Sequence, residues 1–146
     1  MYKILLDTNI LLDYLIKERE GYQAALKIMK LAAEEKIRAY VSPISILDLF
    51  FILRKQATEQ ERKEIIESLL EILDVAELDM DILQLGLYAP IADYEDGIQY
   101  ISAGKINADF IVTGNRQFLS YDLDLRRVSA NKFMEILDSD SNKIYI

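Results

Sequence analysis

The chain contains no cysteine, no histidine and no tryptophan, and only two prolines and five glycines among its 146 residues. Without cysteine there are no disulfides, thiolate ligands or thiol nucleophiles, which suits a reducing compartment, and a cytoplasmic location is expected. Without histidine, imidazole is lost as both base and ligand. Hydrolytic chemistry must then rest on carboxylates, hydroxyls, amines or a cation held by oxygen. The scarcity of Gly and Pro leaves little material for linkers, and no repeat or low-complexity run interrupts the chain. No window approaches the roughly 18 uncharged apolar residues of a membrane helix, so no membrane partner is expected. The opening Met1-Tyr2-Lys3-Ile4-Leu5-Leu6-Asp7 has too short an apolar stretch for a secretory leader and reads as a strand.

A hydrophobic fraction of 51% over 146 residues suffices for one packed core, so residues 1–146 read as a single domain. The net charge of −8 argues against wrapping nucleic acid with a broad basic face. That objection weakens if carboxylates converge on a cation, which attracts phosphate where the protein alone would repel it.

Tyr2 to Leu6 is a short apolar run, and Ile10 to Ile16 continues apolar after Asp7, which implies strand, tight turn and helix. Tyr22, Ala25, Leu26, Met29, Ala32 and Ala33 recur at helical spacing. Ala39 to Val41 reads as a strand, and Ser42-Pro43 as a cap and first-turn proline for a helix from Ile44 to about Lys55. Thr58 and Glu61 have capping-box spacing before a helix through Leu73. Val75 to Leu78 suggests a third strand, and Asp79 a cap for a helix over Ile82 to Tyr88, ended by Pro90. Asp93 opens a helix that ends near Asn107, Phe110 to Val112 is a buried strand, and Arg127-Val128 a last strand before a helix over Asn131 to Leu137, with Ser129 as its cap. Strands separated by helices favour a mainly parallel sheet covered on both faces. Ligands of such sheets sit at the carboxyl ends of strands where strand order reverses, and Asp7 and Asn115 both follow predicted strands.

Each acid of interest also has a purely structural explanation. Asp7 stands where it, or Thr8, caps a helix. Asp48 lies in Ile44-Ser45-Ile46-Leu47-Asp48-Leu49-Phe50-Phe51-Ile52-Leu53, where a lone carboxylate is desolvated at substantial cost unless it pairs with Arg54 or Lys55 or faces a narrow wet stripe. Asp93 and Asp96 share a helix face at i,i+3, where negative charge at an N-terminus is worth about 0.3–1 kcal/mol in any case. Asn115 is a turn residue or a neutral oxygen donor. Together these residues offer oxygen ligands after two strands and within two helices, a distribution suited to a hard divalent cation.

The segments Leu5-Leu6-Asp7-Thr8-Asn9-Ile10-Leu11-Leu12-Asp13, Ser45-Ile46-Leu47-Asp48-Leu49, Asp93-Tyr94-Glu95-Asp96 and Ala108-Asp109-Phe110-Ile111-Val112-Thr113-Gly114-Asn115 follow one another as in the PIN-domain family, which the chain resembles over nearly its whole length. The resemblance implies an α/β/α three-layer sandwich and a Mg2+- or Mn2+-dependent endoribonuclease that hydrolyses single-stranded RNA. The family includes VapC-type toxins held inactive by an antitoxin, so an antitoxin and a homodimer are expected partners. By the same resemblance Asp7, Asp48 and Asp96 match the metal-binding acids, and Asn115 stands where a fourth acid or an Asn occurs. Asn9 and Thr113 match supporting polar residues, with Asp93 beside them. Arg116, Arg54 and Lys55 are candidate phosphate contacts, for which surface solvation is the commoner role. Gly114 and Gln117 depart from the polar and acidic residues usual there. The competing reading is a PIN-fold binding or regulatory module without catalysis, favoured by Asn115 and the net charge. A phosphoacceptor receiver lacks its paired acids and lysine here, and a phosphatase lacks Asp-x-Asp, since the chain reads Asp7-Thr8-Asn9.

Overall fold

The computed structural model describes residues 1–144 and shows five short parallel strands in the order β3-β2-β1-β4-β5. In chain order the elements are β1 (Lys3–Leu6), α1 (Thr8–Leu15), α2 (Tyr22–Ala33), β2 (Arg38–Val41), α3 (Pro43–Ile52), α4 (Glu59–Ile72), β3 (Asp74–Val75), α5 (Met80–Tyr88), α6 (Tyr94–Lys105), β4 (Phe110–Val112), α7 (Arg116–Ser120), β5 (Arg126–Val128) and α8 (Ala130–Ile144). Among the described residues no helix is long and apolar enough to cross a membrane.

The helix starts follow from local chemistry. Ser42 accepts from the Ile44 amide ahead of Pro43, Thr58 and Glu61 form the reciprocal capping box, Asp79 accepts from Ile82 N, and Ser129 from Lys132 N. Several elements differ from the sequence reading, among them the last helix, which runs to Ile144 rather than ending at Leu137. α3 stops at Ile52, and Leu53–Lys55 tighten into one 3-10 turn. β3 is Asp74–Val75 rather than Val75 to Leu78, because its partners Tyr40 and Val41 are the last residues of β2; only Ala76 N reaches one step further, to the Val41 carbonyl. α7 is an additional helix, five residues long and too short for periodicity to reveal.

Strand side chains alternate between two cores. On one face Ile4, Leu6, Val41, Phe110 and Val112 pack against α1, α2, α3, α4 and α8 through Leu11, Ile28, Leu49, Leu69 and Phe133. On the other, Leu5 and Ile111 meet Ala103 of α6 and Phe118 of α7. This is the expected three-layer sandwich. α5 and α6 approach closely because Gly97 faces Gly86: a Cβ on Gly97 would stand 2.9 Å from the Gly86 carbonyl oxygen. That contact holds the first turn of α6 against its neighbour.

Phe133 ties α8 to the sheet through ring contacts with Tyr2 and Phe110 at centroid distances of 6.0 and 5.8 Å, and it is fully buried. Phe133→Ala should therefore cost about 3–5 kcal/mol of stability in urea titration. A loss under about 1 kcal/mol would mean that α8 is not an integral part of the core.

Candidate active site

Strand order reverses between β1 and β4: the chain moves one way from β1 to β2 and β3, and the other way to β4 and β5. The carboxyl ends of these two strands therefore flank a crevice. Leu6 pairs with Val112, and the ladder continues one step as Asp7 N donates to the Val112 carbonyl at 3.0 Å. Asp7 thus falls beside Thr113, whose hydroxyl donates to Asp7 Oδ2 at 2.7 Å. Asp7 Oδ1 accepts from Thr8 N at 2.7 Å, the cap role, and from Gln99 Nε2 of α6 at 3.0 Å. The Asp7 side chain is therefore both helix cap and hub between β1, β4 and α6.

The other acids arrive on helices tied to this hub. Thr8 Oγ1 donates to Ser45 Oγ at 2.8 Å, a buried bond that joins the starts of α1 and α3. Asp48 lies one turn beyond Ser45 on the same side of α3. On α6, Asp93 caps the helix by accepting from Asp96 N at 2.9 Å, which fixes the turn carrying Glu95 and Asp96. Asp96 is 5% exposed, and its Oδ2 has no hydrogen-bond partner. Burial, then the charges of Asp93 and Asp7, push its carboxyl up to about 6. Glu95 is pushed up to about 8, first by burial, then by a hydrogen bond to Asp48 and the charges of Asp48, Asp7 and Asp93. The structure thus brings Asp7, Asp48 and Asp96 into one electrostatic neighbourhood and adds Glu95, which the sequence reading passes over.

Other expected roles change. The apolar run around Asp48 implies full desolvation, whereas Asp48 is half-buried and its neighbours Leu47 and Phe51 are 69% and 61% exposed. α3 buries only the narrow side carrying Ser45 and Leu49, and Asp48 lies at the edge of that side, half open to solvent. Asn115 spends its side-chain oxygen capping α7, accepting from Gln117 N at 2.9 Å and Phe118 N at 3.4 Å. Asn115 thus serves as the cap of α7. Asn9 is exposed on the first turn of α1, and Gly114 and Gln117 are exposed around α7. Arg116 is exposed beside Asn115; Arg54 stacks over Phe51 at 3.9 Å and donates to its carbonyl, with Lys55 exposed next to it. Gln99 is the second residue the sequence reading misses. The available signal was its position, i+3 from Asp96 and i+4 from Glu95, on a face otherwise built for burial.

Among the described residues, no three carboxylates are drawn close enough to enclose a cation as the side chains lie. The donor set nevertheless fits a hard divalent ion. It is all oxygen, one buried oxygen of Asp96 lacks a partner, and burial with the charges of the neighbouring acids raises Glu95 and Asp96, the crowding that a bound cation would relieve.

A model of the PIN domain matches residues 3–117. Ribonuclease VapC1 of Aquifex aeolicus is 23% identical over 127 residues, covering 84% of this chain and 88% of that protein. Among solved structures, DNA-bound VapBC from Salmonella typhimurium aligns with a TM-score of 0.65 at 20% identity, over 88% of this chain and 98% of that one. VapC20 of Mycobacterium tuberculosis, a sarcin-ricin loop cleaving toxin, aligns with a TM-score of 0.59 at 12% identity, over 84% and 92%. At these identities the structural likeness speaks to the fold.

The raised acids have a thermodynamic consequence without metal. Glu95 and Asp96 hold protons more tightly folded than unfolded, where carboxyls titrate near about 4. Their stabilising contribution is complete below that pH and is lost as pH rises through about 6 and about 8. The melting temperature in chelator should fall across this window, and Glu95→Gln should flatten its upper half. A Glu95→Gln profile as steep as wild type would place the titration on another group. Asn115→Ala, by removing a cap, should cost about 1 kcal/mol, while Asn115→Asp stays within a few tenths; equal denaturation midpoints for all three proteins would contradict the cap role.

Proposed function

The chain belongs to the PIN-domain family, and we propose that it is a Mg2+- or Mn2+-dependent endoribonuclease that hydrolyses single-stranded RNA, with Asp7, Asp48 and Asp96 as the acids that hold the cation. The observation that carries this reading is the buried, unpartnered Oδ2 of Asp96 at the strand-order reversal, beside Asp7 and the Glu95–Asp48 pair. Crowded carboxylates repel one another and oppose folding, and a cation relieves that opposition. Sites built from oxygen alone suit Mg2+ or Mn2+.

Thr113, Thr8 N and Gln99 orient Asp7, and Asp93 orients the turn that carries Asp96. A divalent cation, when bound, supplies Lewis acidity toward water and toward the phosphodiester. Arg116 at the start of α7, with Arg54 and Lys55 beyond α3, supplies the exposed positive charge that meets the RNA backbone. Thr113 supports the site as its place in the family pattern implies; Asn9, being exposed, supports it only through α1. A cognate antitoxin is proposed as partner from the likeness to VapBC, and a homodimer from the apolar residues exposed on α3 and α5, among them Leu47, Phe51, Leu87 and Tyr88.

Cleavage of an unstructured RNA should require Mg2+ or Mn2+ and stop with EDTA; undiminished cleavage in chelator would sink the proposal. Asp7→Asn, Asp48→Asn and Asp96→Asn should each lose cleavage while remaining folded. Mn2+ should raise the wild-type melting temperature by an amount set by its concentration over Kd, and the triple Asp→Asn variant should show no rise. A wild-type rise without any RNA cleavage would favour the non-catalytic binding module.

A further inference from the structure

Gln99 is 2% exposed and donates through Nε2 to Asp7 Oδ1 at 3.0 Å, while its own Oε1 is buried with no partner. A carboxylate only accepts, so the amide must turn its NH2 toward Asp7, and this strands the carbonyl oxygen in the interior. A half-satisfied buried amide is a poor way to fill space; an apolar side chain of the same length would leave nothing unpaired. The one contact that accounts for an amide at this position is the one to Asp7.

Each carboxylate oxygen has two lone-pair positions. On Asp7, Oδ1 already accepts from Thr8 N and from Gln99, whereas Oδ2 accepts only from Thr113. Oδ1 is thus filled, and Oδ2 has one position left. We infer that Gln99 makes Asp7 a one-oxygen ligand, open only at Oδ2, and thereby favours a small octahedral cation over Ca2+. Ca2+ takes six to eight oxygens and often both oxygens of a carboxylate, while Mg2+ and Mn2+ prefer six ligands in octahedral geometry. Gln99 lies on α6 two residues after Gly97, where the helix packs so closely on α5 that a Cβ at Gly97 would stand 2.9 Å from the Gly86 carbonyl oxygen. Gln99 is therefore a positioning residue that sets metal preference. The assignment rests on the reading of Asp7 as a metal ligand.

Titration calorimetry of the full chain with Mn2+ and with Ca2+ tests it. Wild type should bind Mn2+ more tightly than Ca2+. Gln99→Met, which keeps the length and removes the donor, should narrow the ratio of the two dissociation constants by about tenfold or more, chiefly through a gain for Ca2+, with an unchanged circular dichroism spectrum. Thr113→Val frees the oxygen that already has room, so it should weaken or strengthen both cations together and keep the ratio within about threefold. A ratio that is unchanged in Gln99→Met, or that collapses equally in Thr113→Val, overturns the assignment. If Gln99→Met fails to fold, Gln99→Asn withdraws the donor while keeping an amide and is held to the same result. Mn2+ that binds no more tightly than Ca2+ in wild type overturns this inference alone, whereas no binding of either cation overturns the metal-site reading beneath it.

Discussion

The hydrogen bond from Asp7 N to the Val112 carbonyl carries the β1–β4 ladder one residue beyond both strands, and the placement of the site follows from it. Because the ladder is parallel, its next rung sets Asp7 beside Thr113, at the point where strand order reverses. From that rung the Asp7 carboxylate gathers three donors belonging to α1, α6 and the end of β4. A side chain with one place to stand and several elements holding it is well suited to a site that demands fixed geometry. Without the rung, Asp7 would be an ordinary helix cap.

Holding acids together in this way works against folding, and the molecule answers with local support. Asp96 is buried on the first turn of α6, where the Asp93 cap, the helix N-terminus and the Gly86–Gly97 contact all hold it in place. The cap itself adds negative charge that helps to push Asp96 upward. Glu95 and Asp48 reduce the repulsion by sharing a hydrogen bond. The pattern is one of stability given up at a site and recovered in two apolar cores on either side of the sheet.

Asp7, Thr113 and the strands below them were legible because a buried parallel strand leaves a short apolar run with a polar residue at its end. The caps at Ser42, Thr58, Asp79 and Asp93 were legible because each obeys a local rule of spacing. Glu95 and Gln99 were not, since their importance comes from what lies across the crevice: Glu95 matters through Asp48 on α3, and Gln99 through Asp7 on β1, 92 residues earlier. The same limit explains Asp48. Apolar neighbours in sequence suggested a buried helix, but α3 meets the rest of the fold along one narrow side, and which side is wet depends on the helices around it. α7 escaped notice because five residues hold little more than one turn.

The neutral side chain at position 115 is best understood alongside Glu95. The Asn115 oxygen is committed to two amides of α7, so in this geometry it offers the crevice little, and an acid in its place would have the same cap to serve. Glu95 meanwhile brings a fourth carboxyl into reach of Asp7 and Asp48 from the opposite helix. The neighbourhood therefore retains four acidic side chains, Asp7, Asp48, Glu95 and Asp96, although the sequence position that resembles a fourth acid is uncharged. Because Glu95 is pushed up to about 8, it can carry a proton at neutral pH. A carboxyl that holds its proton keeps part of the repulsion of an acidic cluster latent, so the net charge of −8 overstates the negative charge this neighbourhood carries at neutral pH.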